Sequence, residues 1–256
     1  MTSNNPFFKS KSYDKPQSVH VDEQGNRSVL IDYQETMTVN GTINKSLTML
    51  LLLMATATLT WVMTASGYNP MPFLIGGGVV GFILVLVASF KPQLSGYLAP
   101  GYAVFEGLFI GAVSALFEAM YPGIVIQAVG ATFTTFLVCF LLYKYKVVTV
   151  TEKFKSIVIG ATITIAIFYV ITWLLSMFTS FQPVHYGNSL MSIGISVIVI
   201  VVAALNLFLD FDQIEKGAEK QLPKYMEWFG AMGLMITLVW LYIEFLRLFS
   251  KLASRD

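Results

Sequence analysis

Residues 229–250 read FGAMGLMITLVWLYIEFLRLFS, a run in which Glu244 and Arg247 are the only charges. A helix of about twenty apolar residues, rising about 1.5 Å per residue, crosses a hydrocarbon core about 30 Å thick. The run therefore reads as a membrane span. A carboxylate at position 244 then needs a partner, because a charge at the centre of a spanning helix costs about 2.5 to 3.5 kcal/mol on insertion scales.

Six earlier runs have the same character, at about 47–66, 72–90, 98–120, 123–143, 156–179 and 189–212. Between them lie GYNPMP, KPQLSG, MYPG, KYKVVTVTEKFK, SFQPVHYGN and DQIEKGAEKQLPK, which carry turn formers, charges or both. Open strands leave backbone groups unsatisfied in lipid, so the runs are predicted to be helices. The expected fold is an all-α membrane protein of seven transmembrane helices. Composition agrees: 55% of the residues are hydrophobic and 12% charged, against roughly 45–50% and 25% in soluble domains.

The first 41 residues are rich in Asn, Ser, Asp, Lys and Gln, and bury too little apolar surface to offset the entropy of ordering. They are expected to form a disordered cytosolic tail, with the seven-helix domain over 42–256. The opening MTSNNPFFKSKSYDKP lacks the apolar core of a signal peptide, so insertion is expected to begin at the first internal span. Lys45, Lys91, Lys144, Lys146, Lys153, Lys155, Lys216, Lys220 and Lys224 all fall on one side of the membrane. The interhelical loops on the other side have no basic residue, although Arg247, Lys251 and Arg255 follow at the C-terminus. This bias predicts a cytosolic N-terminus in an inner-membrane protein.

Several function classes fall away. A net charge of +1 offers no basic face for nucleic acid. The single cysteine, Cys139, cannot form a disulfide framework or a Cys-based zinc site, and reads as packing. No Gly-x-Gly-Asp, Gly-x-Ser-Gly or His-Glu-x-x-His element occurs, and His20 and His185 lie in the tail and a loop. The expectation is therefore a protein that is not an enzyme and carries no resident cofactor.

Within the spans the acids are Glu106, Glu118, Asp210, Asp212 and Glu244. Glu118 and Asp212 lie at span edges, where solvation by interfacial water is the plain reading. Asp210 and Asp212 are two apart, about 200° around a helix, and cannot both face one partner. Glu244 has Arg247 one turn away as an ion-pair partner, or an acid on another helix. Glu106 has no base within four residues on its own helix, so a polar cavity or another helix must serve it. Gly77-x-x-x-Gly81 and Gly107-x-x-x-Gly111 provide for close helix approach.

GYLAPGYAVFEG (96–107), LDFDQIE (209–215) and LYIEFLRLF (241–249), in that order behind a polar head, resemble the Bax inhibitor family, of its bacterial YccA-like kind. The resemblance implies seven helices with the last one surrounded by the others, and a pH-sensitive calcium leak. It further implies an acid ending helix six and another inside helix seven, hydrogen bonded as a proton-sensing pair. Asp210 and Glu244 match those positions, with Glu106, Asp212 and Arg247 as accessory residues. The family's second helix can carry a glutamate that GGGVVGF lacks, and Glu106 is the candidate substitute. Arg247 stands where a neutral amide is usual.

On this reading, Asp210 and Glu244 share one proton, since two close carboxyls in low dielectric cannot easily both ionise. Losing that proton frees oxygens for Ca²⁺. The pairing depends on where helix seven begins: if it begins at Glu227, Glu244 lies about 25 Å along its axis, too far from Asp210. The expected partners are the lipid bilayer, Ca²⁺ and H⁺. The resemblance also implies a membrane-anchored ATP-dependent protease, for which the polar tail would be a handle.

Overall fold

The computed structural model describes residues 19–21, 27–29, 36–178, 187 and 189–255. Most of the expected polar tail, and His185, lie outside these residues. Two short strands, β1 (Val19–Val21) and β2 (Arg27–Val29), pair antiparallel within the tail region. Seven helices follow: α1 (Val39–Ala65), α2 (Met71–Phe90), α3 (Ser95–Met120), α4 (Ile124–Lys144), α5 (Glu152–Phe178), α6 (Leu190–Glu219) and α7 (Met226–Ala253). A single 3₁₀ turn, Pro92–Leu94, links α2 to α3. Each of the seven helices is long and apolar enough to cross a membrane.

Three boundaries differ from the sequence-based expectation, and each difference has a local cause. The helix α1 begins at Val39 because Thr38, in extended conformation, caps it by accepting the Gly41 N–H at 2.9 Å. The expected domain border at 41/42 thus falls inside its first turn. Helix α6 runs past Asp212 to Glu219, where Lys216 pairs with Asp212 one turn back at 2.8 Å. It stops where Gln221 turns left-handed at φ 51°. Only 220–225 then remain as a connection, and α7 starts at Met226 rather than near 229.

The C-terminal helix is central. Helix α7 packs against α1, α3, α4 and α6, and 56% of its most apolar stretch is buried, against 11% for α5. Helix α5 makes its main contacts with α6, and α2 with α3. Both predicted glycine pairs are seams. On α3, a Cβ at Gly107 would fall 2.5 Å from the Leu53 carbonyl oxygen of α1, and one at Gly111 would overlap that of Ala57. On α2, a Cβ at Gly77 would stand 2.6 Å from the Phe105 carbonyl oxygen of α3. The helices approach backbone to backbone, which is how membrane helices associate without a hydrophobic driving force.

One end of the bundle holds the start of α1 and the α2–α3, α4–α5 and α6–α7 connections, and with them most of the lysines. At this end the chain entering α1 is tied to the α6–α7 turn. Met37 N–H donates to the Leu222 carbonyl at 2.6 Å, and Thr36 bridges to Pro223. The Met37 side chain packs with Ile214, Leu222 and Met226.

Candidate intramembrane carboxylate sites

Asp210 and Asp212 diverge, as their spacing on α6 requires. Asp212 turns to α5 and is 7% exposed; its carboxylate receives Lys155 of α5 at 2.9 Å and Lys216 at 2.8 Å. The expected interfacial solvation is thus replaced by two ammonium groups, and the Lys155 contact makes Asp212 one of the polar links between α5 and the bundle. Glu118 also differs from expectation. It accepts the N–H groups of Gly123 at 2.7 Å and Val125 at 3.2 Å, at the start of α4. Those donors have no partner inside their own helix, and a negative charge there is favoured by the helix dipole.

Asp210 faces α7 instead. Its Oδ1 lies 3.8 Å from where a Gly233 Cβ would stand, and the Thr237 hydroxyl interacts with the carboxyl. Its Oδ2 is inaccessible and has no hydrogen-bond partner among the described residues. Asp210 lines a cavity of about 100 Å³ between α2 and the α6–α7 hairpin. Among the described residues, the other polar side chains on the wall are Ser89 and Gln213, and none on the wall is a lysine or arginine.

Glu244 sits elsewhere. It is 1% exposed, and its Oε1 accepts from Arg247 at 3.0 Å and from the Tyr169 hydroxyl of α5 at 3.2 Å. The Arg247 guanidinium lies over the Tyr169 ring, 5.5 Å from its centroid, while Glu244 Oε2 has no hydrogen-bond partner among the described residues. The ion pair with Arg247 is the arrangement present. Among the described residues Asp210 and Glu244 make no hydrogen bond to each other. Gly233 and Thr237, which face Asp210, precede Glu244 by eleven and seven residues, about 16 and 10 Å along the helix. The cause is the early start of α7: with only six residues in the turn, position 210 is level with 233–237.

Two of the three minority-side cations have partners. Arg247 is held by Glu244, and Lys251 donates to Ser196 Oγ at 2.6 Å and to the Ser192 carbonyl at 3.3 Å on α6. Cys139 is a buried free thiol within an apolar cluster, as expected.

One acid was invisible as a site in the sequence. Glu227, 0% exposed, accepts from Thr38 N at 2.8 Å and Thr38 Oγ1 at 2.9 Å, and pairs with Lys45 and with Lys224, the latter at 3.3 Å. The Lys45 ammonium also lies 5.4 Å from the centroid of the Trp228 ring. Gly41 leaves room for this carboxylate, since a Cβ there would collide with it. Only the lysine three residues before Glu227 hinted at this; Thr38 and Lys45 come from the far end of the chain.

A family model described as Bax inhibitor 1 like matches residues 5–254. The chain belongs to this family. No curated protein matches it. The Bax inhibitor 1-like match spans all seven helices, and with them Asp210 of α6 and Glu244 of α7.

Proposed function

We propose that this Bax inhibitor 1-like protein is a proton-sensitive leak for hard cations of the calcium class, with Asp210 as the controlling group. The observation that carries this is an unpartnered, inaccessible carboxylate oxygen beside a cavity that has no fixed cation on its wall. Carboxyl, amide and hydroxyl oxygens of Asp210, Gln213 and Ser89 suit a hard cation, with water completing its shell. A proton on Asp210 leaves the cavity neutral and without attraction for a cation. Loss of that proton places one negative charge in an apolar wall, and a cation restores neutrality. Acid and calcium therefore compete for one site, and flux rises with pH. The lysine-rich end faces the cytosol of a bacterial inner membrane under this reading.

The test is calcium flux from liposomes reconstituted with the purified protein, followed against pH. Wild-type flux should rise with pH, and Asp210→Asn should lose that dependence. A chain lacking residues 2–35 should keep the flux, because Thr36–Thr38 and the α1 cap remain. Asp210→Asn with a wild-type pH profile would remove Asp210 from the mechanism. Flux lost with the tail, together with co-purification of a protease through it, would instead favour the protease-regulator reading.

A further inference from the structure

Glu106 takes part in none of the contacts above. It is half-buried on α3 and forms no hydrogen bond or ion pair among the described residues. Its carboxyl approaches α2 at Gly81: a Cβ there would stand 3.0 Å from Glu106 Oε2 and 3.8 Å from the Tyr102 ring. The buried Gly81 thus leaves a seat for an acid that no base of the described residues fills.

This seat adjoins the Asp210 cavity. Gly81, Val85 and Ala88 follow one another at the spacings that put residues on one helix face. Val85 and Ala88 line the cavity. Gly81, which the Glu106 carboxyl approaches, is thus one turn of α2 from Val85 on the cavity wall, toward the middle of the helix. The two acids are carried by α3 and α6.

A divalent cation beside a single carboxylate keeps an uncompensated positive charge, and that excess is expensive where water is scarce. A second carboxylate removes it. We propose that Glu106 is the second carboxylate serving the cation of the Asp210 cavity, with Gly81 holding its seat open. The proposal rests on the cation reading of that cavity and adds to it a residue on a third helix.

Dicyclohexylcarbodiimide, an apolar reagent that adds to carboxyl groups within membranes, provides the test. The full-length protein in liposomes is treated with and without millimolar Ca²⁺, and adducts at Asp210 and Glu106 are quantified by peptide mass spectrometry. Calcium should protect both residues, and Asp210→Asn should abolish protection at Glu106. Glu106→Gln should raise the calcium concentration that half-protects Asp210 by about tenfold, as expected when a site loses a nearby compensating charge. Gly81→Ala should shift it in the same direction. Labelling of Asp210 in calcium-free samples verifies that the Glu106→Gln and Gly81→Ala variants retain the cavity, and labelling of Glu106 does the same for Asp210→Asn. Protection of Asp210 that is unchanged in Glu106→Gln overturns the proposal while leaving the cation reading standing. If calcium protects neither acid in the wild-type protein, the cation reading itself fails, and the proposal falls with it.

Discussion

Replacing Glu227 by Gln should loosen the junction that ties the first helix to the last. The amide oxygen can still accept the two Thr38 bonds, so the α1 cap survives, but the charge facing Lys45 and Lys224 is gone. Removing one partner of a fully buried ion pair costs about 3 to 5 kcal/mol. Here Lys45 is 19% exposed and Lys224 48% exposed, so water recovers part of that cost. Lys45 also keeps its place over Trp228, worth about 0.5 to 2 kcal/mol. A loss of about 2 kcal/mol is therefore expected. It can be measured by unfolding in mixed micelles with increasing dodecyl sulfate, followed by tryptophan fluorescence. Lys45→Met should cost less than Glu227→Gln, because Lys224 still neutralises the acid. The double variant should fall short of additivity by about 1 kcal/mol or more. A loss below about 0.5 kcal/mol for Glu227→Gln, with additive behaviour, would show that Glu227 behaves as an ordinary surface acid and would refute the junction.

Gly111→Ala should destabilise by about 3 kcal/mol or more, since the added carbon meets the Ala57 backbone, which cannot swing aside as a side chain can. Gly130→Ala, where nothing lies within 4 Å, is the control and should be neutral or slightly stabilising in the same unfolding assay. Asp212→Asn removes the acid between Lys155 and Lys216 and leaves Lys155 only its exposed partner Glu152. Because α5 packs mainly on α6, it should release α5 first, visible as faster proteolysis in the 145–151 connection while the rest of the bundle resists. Glu244→Gln should lower stability by about 1 to 2 kcal/mol through the weakened Arg247 contact. It should leave the pH midpoint of calcium flux where it was, whereas a proton shared between Asp210 and Glu244 would move it.

Seven helices were legible because lipid enforces a simple rule: a long apolar run must satisfy its backbone internally, and a helix alone does so within one segment. The glycine pairs were legible for a similar reason, since spacing by four puts two small residues on one helix face whatever the partner. The divergence of Asp210 from Asp212 is likewise a property of a single helix, set by about 100° per residue. The Glu244–Arg247 contact was available from one turn of spacing, although a second partner competed with it.

What tertiary structure alone decided is which residues meet across helices. Whether Asp210 is level with Glu244 or with Thr237 depends on the end of α6 and the start of α7, because each residue moved from turn to helix shifts the register by about 1.5 Å. The apolar runs do not mark those ends, since both helices continue into polar sequence held by contacts from elsewhere: Gly217 against Met37, Glu227 against Thr38 and Lys45. The Glu106 seat has the same origin. It exists because α2 offers a glycine at that height, and the height is set by how α2 and α3 slide together until Gly77 meets the Phe105 carbonyl. Patterns within one helix follow from its covalent geometry, whereas contacts between helices follow from where all the helices stop.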